Sequence, residues 1–193
     1  MKTIQRMRRQ DGFSLLEMMA TLSIMAIVGS MATASLVTAR RAYQGDGAMR
    51  LVMSQLNTAR EMAITQRHNM EVQFVGGNWV RIVRHENAAG VTTLLSNVAL
   101  ESGAQFALTA GVPDTPDGFG ATSPIEFGAA TIVMFTTDGT LIDSGGSPIN
   151  GTVFLSIQNQ QESARAVTVL GSTGRVRGYK WVVGKTAAGW SRV

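Results

Sequence analysis

Three residues near the amino terminus have the types and spacing for cleavage of a peptide bond and for an ion pair between the new amino group and a carboxylate. Gly12 precedes Phe13, and Glu17 follows four positions later as the only charge among residues 13–39. A glycine offers a peptidase a scissile bond with no side chain on its upstream side. Cleavage there would give Phe13 an α-amine of pKa ~8, which is positive at neutral pH. That amine could pair with Glu17, within one helix or between neighbouring subunits, and leaving a buried charge unpaired costs ~3–5 kcal/mol.

The apolar tract that carries Glu17 has the dimensions of a membrane helix. Residues 13–39 would extend ~40 Å as a helix, more than the ~30 Å apolar core of a bilayer. Residues 1–12 carry four cations and one anion, and a basic flank predicts a cytoplasmic amino terminus with the chain after Arg40 exported. The sequence predicts a leader (1–12), a transmembrane and assembly helix (13–39) and an exported part.

Two other interpretations of this tract remain open. A secretory signal peptide would explain the basic start, and Ala32-Thr33-Ala34 resembles an A-x-A cleavage site, but the apolar stretch is longer than usual and contains a carboxylate. A plain membrane anchor fits the length, but it leaves Glu17 unexplained at a cost of ~2.5–3.5 kcal/mol near the bilayer centre.

The basic leader, Gly12-Phe13-Ser14-Leu15-Leu16-Glu17 and the apolar residues that follow resemble the class III signal of type IV pilins and type II secretion pseudopilins. The resemblance implies cleavage after Gly12 by a prepilin peptidase and N-methylation of Phe13. It also implies that Glu17 pairs with a neighbour's amino terminus during filament assembly. The expected partners are other pilin or pseudopilin subunits and an inner-membrane assembly platform, and the expected location is the inner membrane and then the filament.

A second group of residues that could bind a ligand lies near the carboxyl terminus. Residues 163–193 hold six cations and no acid, whereas residues 86–162 hold eight acids and no Lys or Arg. In an extended RVRGYKW, Arg175 and Arg177 project from one face, followed at the same period by Tyr179 and Trp181 unless Gly178 breaks it. Guanidiniums beside aromatic rings could bind phosphates and stack bases.

The DNA-binding interpretation, with Arg175, Arg177 and Lys180 as candidate residues, competes with a structural one. In the structural alternative this basic edge is solvated and docks on an acidic face, like that of residues 86–162, on a neighbouring subunit.

Other chemistry has little support in the sequence. There is no cysteine, and the spacing of His68 and His85 does not suggest a paired ligand motif. No G-x-S-x-G, P-loop or HExxH motif occurs. Asp114 and Asp117 could face Ca²⁺, but their spacing does not match an EF-hand, which favours a solvated loop. We therefore expect neither an enzyme nor a cofactor.

The elements that would position these residues follow from periodicity. Apolar residues at helical spacing over residues 40–69 predict an amphipathic helix, continuous with or kinked from the preceding segment, with a glycine interruption at Gly45 and Gly47. Residues 70–193 contain short β runs punctuated by turns, and residues 109–124 predict a long mobile loop. The predicted runs are MEVQF, NWVRIVRH, TTLLS, IEF, TIVMFTT, GTVFLSIQN, ARAVTVLG and RVRGYKW. The predicted fold class is α+β, with a long N-terminal helix packed on an antiparallel sheet domain.

Three scattered patches resemble the H-type pseudopilins and the FimT-like minor pilins: Ala59–Ile64, Phe135–Gly139 and Arg165–Val176. Within the last of these, the run Gly174-Arg175-Val176-Arg177 matches the Gly-Arg-x-Arg element with which FimT-like pilins contact DNA. The resemblance implies a minor pilin or pseudopilin in a type II secretion pseudopilus or a type IV pilus. The alternative is a DNA-binding minor pilin acting in DNA uptake.

Overall fold

The computed structural model describes residues 13–128, 130, 132–184 and 189–193, and for residues 31–35 and 38 it describes the backbone only. The chain divides into two compact units, Met1–Ala39 (unit 1) and Arg40–Val193 (unit 2). The predicted leader and Gly12 lie outside the described residues.

The helical part of the chain is one element, α1 (Leu15–Gln66). It runs through Gly45 and Gly47 without a break, which is the continuous form of the two predicted alternatives. In unit 1 the described side chains of α1 are exposed. Among the described residues, no helix has both the length and the apolarity that crossing a membrane requires.

Within unit 2, α1 contributes a buried stripe to the core. The stripe follows the predicted i, i+3, i+4 spacing, and its fully buried members are Ala48, Met49, Val52, Leu56, Ala59 and Ala63. Arg67, directly after the helix, has a left-handed backbone (φ 55°). The predicted amphipathic helix is thus confirmed in its spacing, and it ends three residues earlier than expected.

Within the described ranges, eleven strands form two antiparallel sheets. The first sheet has the order β3-β2-β1-β6-β7, with β1 (Met70–Val75), β2 (Trp79–His85), β3 (Thr92–Ala99), β6 (Val133–Phe135) and β7 (Leu141–Asp143). The second has the order β11-β10-β9-β8-β4, and β5 also pairs with β8. Its strands are β4 (Ala104–Phe106), β5 (Ile125–Glu126), β8 (Gly151–Ile157), β9 (Arg165–Leu170), β10 (Arg175–Val182) and β11 (Gly189–Arg192).

The main core lies between α1 and the two sheets. Strand β8 is buried at every position because it has neighbours on both sides and a covered surface on both faces. A second, smaller cluster covers the opposite face of the second sheet, where Phe154, Ala166 and Tyr179 pack with Leu108 and Trp190. All the buried side chains of the described chain belong to unit 2. The packing of a helix on two antiparallel sheets confirms the predicted α+β class.

Residues 109–124 are anchored to the second sheet, in contrast to the predicted mobile loop. Trp190 Nε1 donates to Pro113 O (2.9 Å), and Gln161 Nε2 donates to Ala110 O (2.9 Å). Asp117 adds three further hydrogen bonds. The loop thus closes over the smaller apolar cluster, which composition alone could not predict.

Candidate functional site

The amino-terminal site begins at the start of α1. The amide of Met18 donates to Ser14 O (3.1 Å), so Ser14 has the N-cap position and Glu17 lies in the first turn. Ser-x-x-Glu is the spacing of a capping box, and a carboxylate in the first turn is favoured by the helix dipole. Phe13 and Glu17 are both exposed. Both predicted groups are therefore accessible to a neighbouring molecule.

An exposed apolar surface surrounds this carboxylate. Leu15 and Leu16 are each 78% exposed, and the described large apolar side chains up to Val28 are all more than half exposed. Water-exposed apolar patches of this extent mark surfaces that another molecule or a membrane covers. The described side chains of unit 1 therefore form an uncovered apolar surface.

The three sequence patches that carried the second resemblance meet at one point of unit 2. Arg60, on α1, donates from Nε to Gly139 O (3.1 Å) in the turn between β6 and β7. Gly174 has a left-handed backbone (φ 61°), and a Cβ there would overlap Gly139 O and crowd the Arg60 side chain. A glycine is required at position 174 both for its backbone angle and for this close approach. This junction joins α1 to a turn of each sheet.

The basic strand β10 places its candidate DNA-binding residues in three different environments. Arg175 is exposed. Arg177 donates from Nη1 to Asp117 Oδ1 (2.5 Å) in an ion pair whose side chains are 24% and 11% exposed. Lys180 is exposed, but it lies on the opposite face of β10 from Arg175 and Arg177. That face also carries Gly178, which lies against the sulfurs of Met49 and Met53 on α1. The structure therefore does not bring the three cations together on one face.

The aromatic rings of β10 are buried, in contrast to the proposed stacking surface. The predicted period of two is unbroken at Gly178, as the register with β9 shows. However, Tyr179 and Trp181 are only 5% and 7% exposed. Trp181 packs edge-to-face on Trp190 with ring centroids 5.4 Å apart. Neither ring offers a face to a base, because the loop 109–124 and β11 cover them.

Asp117 is the centre of a polar network on this face. It accepts hydrogen bonds from Thr168 Oγ1 (2.6 Å), Arg177 Nη1 (2.5 Å) and Tyr179 OH (3.0 Å). Burial alone would raise the pKa of Asp117, but the hydrogen bonds from Thr168 and Tyr179 and the charge of Arg177 lower it below its usual 3.8. The negative charge of Asp117 raises the pKa of Arg177, and burial raises the pKa of Tyr179.

The other acids of residues 86–162 mostly anchor turns. Asp114 accepts from the amides of Thr115 and Gly120, and Asp143 accepts from those of Gly145 and Ser147. Hydrogen bonds from Thr136 and Thr140 lower the pKa of Asp138 to about 2. Such local roles differ from the acidic docking face that the charge count suggested.

Sequence reasoning missed one cluster, which joins the two histidines. His68 Nδ1 lies 2.9 Å from the backbone oxygen of His85, and His85 Nε2 lies 2.8 Å from Glu71 Oε2. Glu71 is only 8% exposed. The antiparallel pairing of β1 with β2 creates this contact, and no local motif signals it. Within the described ranges, no group of three or more His, Cys, Asp or Glu side chains is arranged to hold a metal.

Two family models match the chain. The prokaryotic N-terminal methylation motif matches residues 7–33, and the type II transport protein GspH matches residues 48–174. No curated protein matches the sequence with significant similarity.

Two crystal structures of the type IV minor pilin FimU from Pseudomonas aeruginosa are similar to part of the chain. One is 15% identical with a TM-score of 0.46, and the alignment covers 74% of this chain and 90% of FimU. The other, in a different crystal form, is 16% identical with a TM-score of 0.47, covering 74% and 95%.

Proposed function

Given that the chain belongs to the GspH family of type II transport proteins, we propose that it is a structural subunit of a pilus-like filament, assembled through its N-terminal helix. The observation that carries this proposal is the exposed apolar surface of residues 13–30 around a single carboxylate. The match of residues 7–33 to the N-terminal methylation motif supports it. The chain is a minor pilin or pseudopilin, and the filament is either a type II secretion pseudopilus or a type IV pilus.

The first step is processing at the amino terminus. A prepilin peptidase cuts between Gly12 and Phe13, and the new amino group of Phe13 is methylated. Phe13 supports this step because it precedes the first helical residue and is 77% exposed. Removal of residues 1–12 takes away four cations and one anion.

The second step is membrane storage before assembly. Residues 13–39 insert into the inner membrane as a single pass with a cytoplasmic amino terminus, and unit 2 is exported to the periplasm. The helix that the structure describes does not by itself reach the length and apolarity of a membrane span, so the support comes from the full sequence, in which 27 residues contain one charge and follow a basic leader. Lipid covers the apolar side chains until neighbouring subunits replace it in the filament.

The third step is registration between subunits, in which Glu17 pairs with the amino group of Phe13 on a neighbour. In apolar surroundings a subunit in the wrong register leaves a charge unpaired, which costs ~3–5 kcal/mol. The assembly platform of the inner membrane and the other pilin or pseudopilin subunits are the partners.

A purification of sheared filaments tests this proposal. Wild-type protein should be found in the filament fraction without residues 1–12, and Glu17→Val protein should stay in the membrane fraction. Finding the wild-type chain only as a free, processed periplasmic protein would contradict filament assembly. Deleting the gene and measuring both protein secretion and pilus-dependent motility would assign the machine.

A DNA-binding minor pilin acting in DNA uptake is the second candidate function. The exposure of Arg175 at the Gly174-Arg175-Val176-Arg177 run favours it. The Asp117–Arg177 ion pair and the buried rings of Tyr179 and Trp181 weigh against it. A gel shift with double-stranded DNA separates this candidate from a purely structural subunit.

A further inference from the structure

We propose that unit 2 carries a lipid-binding rim at the point where the chain enters it from the apolar tract. The rim consists of three cationic side chains, Arg40, Arg41 and Lys180, and three exposed apolar or aromatic ones, Tyr43, Val182 and Val183. Its ligand is the phosphate headgroup region of anionic phospholipid, at the surface of the membrane that holds residues 13–39. This inference rests on the proposed membrane insertion.

A buried arginine brings the rim together from distant parts of the sequence. Arg165, 3% exposed, donates from Nε to Asp46 Oδ1 (2.6 Å) and from Nη2 to Ala42 O (2.9 Å), both on α1. Arg165 is also the register partner of Lys180 across β9 and β10. Lys180 is therefore close to the first turns of α1 in unit 2.

The direction of β10 confirms this placement. Gly174, at its start, lies against Arg60, whereas Gly178 lies against Met49 and Met53. The strand thus runs antiparallel to α1, and its last residues, Val182 and then Val183, approach the part of α1 near Arg40, where unit 2 begins. Gly45 permits the close packing there, since a Cβ would lie 2.7 Å from Ser163 O.

The cations of the rim are accessible. Arg40 and Lys180 are exposed, and Arg41 has only a long hydrogen bond to Gln158 Oε1 (3.3 Å). Two acids lie close to them: Asp46 is neutralised by Arg165, and Glu162, whose backbone oxygen accepts from Arg165 Nη1 (2.9 Å), adds one negative charge against the three cations. The rim is therefore net positive, which suits the phosphates of an anionic leaflet.

Exposed apolar groups beside these cations favour lipid over nucleic acid. Tyr43 is 76% exposed, and Val182 and Val183 are 43% and 53% exposed. Tyr is enriched at membrane interfaces, where its ring meets the acyl chains and its hydroxyl meets the headgroups, and arginine chains reach the phosphates. A nucleic-acid surface would gain nothing from exposed valines. The rim would set the depth at which unit 2 rests before the subunit is extracted.

Cysteine labelling of the full chain in vesicles tests the rim, because the sequence contains no native cysteine. Three single-cysteine variants carry a fluorophore: Val183→Cys in the rim, Ser172→Cys in the turn near Arg60, and Val28→Cys in the apolar tract. Vesicles contain phosphatidylcholine alone or with phosphatidylglycerol, and a spin-labelled lipid quenches the fluorophore.

We expect the label at position 183 to be quenched strongly in phosphatidylglycerol vesicles and weakly in phosphatidylcholine alone, and the label at position 172 in neither. The quenching should be lost in 1 M salt, where the Debye length is only about 3 Å. Replacing Arg40, Arg41 and Lys180 by Gln should lower the docked-to-undocked ratio roughly fivefold for each cation removed.

The other outcomes are distinguishable. An unquenched label at position 28 would overturn the proposed insertion and the rim with it. A quenched label at position 28, with quenching at position 183 that ignores both phosphatidylglycerol and the triple substitution, would overturn the rim alone. Duplex DNA that binds the parent proteoliposomes but not the triple variant would show that the rim is a nucleic-acid site instead.

Discussion

Units 1 and 2 of this chain differ in the solvent exposure of their large apolar side chains. In unit 1 the described large apolar side chains are 51–78% exposed, whereas the core residues of unit 2 are at most 8% exposed. Unit 2 also uses most of its charges internally, as in the Arg165–Asp46 and Arg177–Asp117 pairs. Unit 2 therefore buries its own apolar core, whereas the described apolar side chains of unit 1 remain exposed and would be buried only by another molecule or a membrane.

The comparison separates what each unit contributes. Burial of apolar side chains dominates folding free energy, so substitutions in unit 2 should act mainly on stability. A surface that stays exposed adds nothing to the stability of the monomer, so substitutions in unit 1 should act on processing and assembly. A single substitution in one unit should therefore change only the property that this unit contributes, either stability or processing and assembly.

The largest effect is expected at Gly12, where the change decides whether residues 13–39 are released from the leader. Gly12→Val should block cleavage, because the peptidase then meets a branched side chain beside the scissile bond. Mass spectrometry of the membrane fraction should find the twelve leader residues still attached. Gly29→Val, at a glycine with no neighbouring atom within 4 Å, is the matched control and should be processed normally. A mature terminus after Ala34 would support the signal-peptide interpretation instead.

Glu17→Val should separate insertion from assembly. The substitution helps the apolar tract enter a membrane, but it leaves a neighbour's amino group unpaired, at a cost of ~3–5 kcal/mol. We expect normal processing, an unchanged unfolding midpoint of unit 2, and at least a roughly hundredfold decrease of the protein in sheared filaments. Glu61→Val, on the exposed face of α1 in unit 2, should leave incorporation intact. Equal incorporation of both variants would assign Glu17 a purely local role in its helix turn.

Gly174→Ala should be the most destabilising of the changes proposed in unit 2. The new Cβ would overlap Gly139 O and crowd Arg60 at the junction of α1 with both sheets. The left-handed backbone alone costs ~1–2 kcal/mol for a residue with a side chain, and overpacking adds ~1–3 kcal/mol. Urea unfolding followed by circular dichroism measures the sum.

The matched control for Gly174 is Gly146, which also has a positive φ (82°) but no neighbouring atom within 4 Å. Gly146→Ala should therefore show the backbone cost without the overlap. If the two variants unfold at the same urea concentration, the close approach at Gly174 contributes nothing.

The sequence predicted the parts of the molecule that depend on local patterns. The spacing of apolar residues gave the stripe of α1, and alternating runs gave strands such as β1, β8 and β9. Short or irregular strands such as β4, β7 and β11 were missed, since three or four residues of pairing leave no clear period. The sequence leaves open whether the helix is continuous or kinked near Gly45 and Gly47. The structure shows a continuous helix, in which close packing of Gly45 against Ser163 offsets the low helix propensity of glycine.

The candidate binding site could be predicted only in part, for a different physical reason. The alternation along β10 was read correctly, but which face is covered depends on contacts far apart in sequence. Asp117 reaches Arg177 across sixty positions. Composition showed an acidic stretch and a basic stretch, and it could not show that they meet within one chain.

Asp117→Asn should weaken unit 2 by an amount that depends on pH. The folded-state pKa of Asp117 lies below its usual 3.8, so its stabilising contribution is present above that value and is lost as pH falls through the folded pKa. At pH 7 the substitution should cost about 1–3 kcal/mol, as expected for hydrogen bonds to a charged group. Glu101→Gln, at an exposed acid, is the control. A stability difference that stays constant from pH 7 to pH 2 would show that charge is not the cause.

The smallest effect is expected for DNA binding by β10. This measurement tests whether unit 2 binds a ligand in addition to folding as a stable domain. If β10 binds DNA, phosphates supply most of the attraction, so binding should be weak, nonspecific and steeply salt-dependent. Two free arginines would contribute roughly 1.8 to the slope of log K against log salt, at ~0.9 each. Because Asp117 already neutralises Arg177, we expect Arg175→Gln to flatten the slope by roughly 0.9 and Arg177→Gln to change it little.

Arg192→Gln, on β11 outside the motif, is the control in the gel shift. Equal slope changes for Arg175→Gln and Arg177→Gln would mean that DNA displaces Asp117, and no shift at low salt would leave unit 2 with a structural role alone.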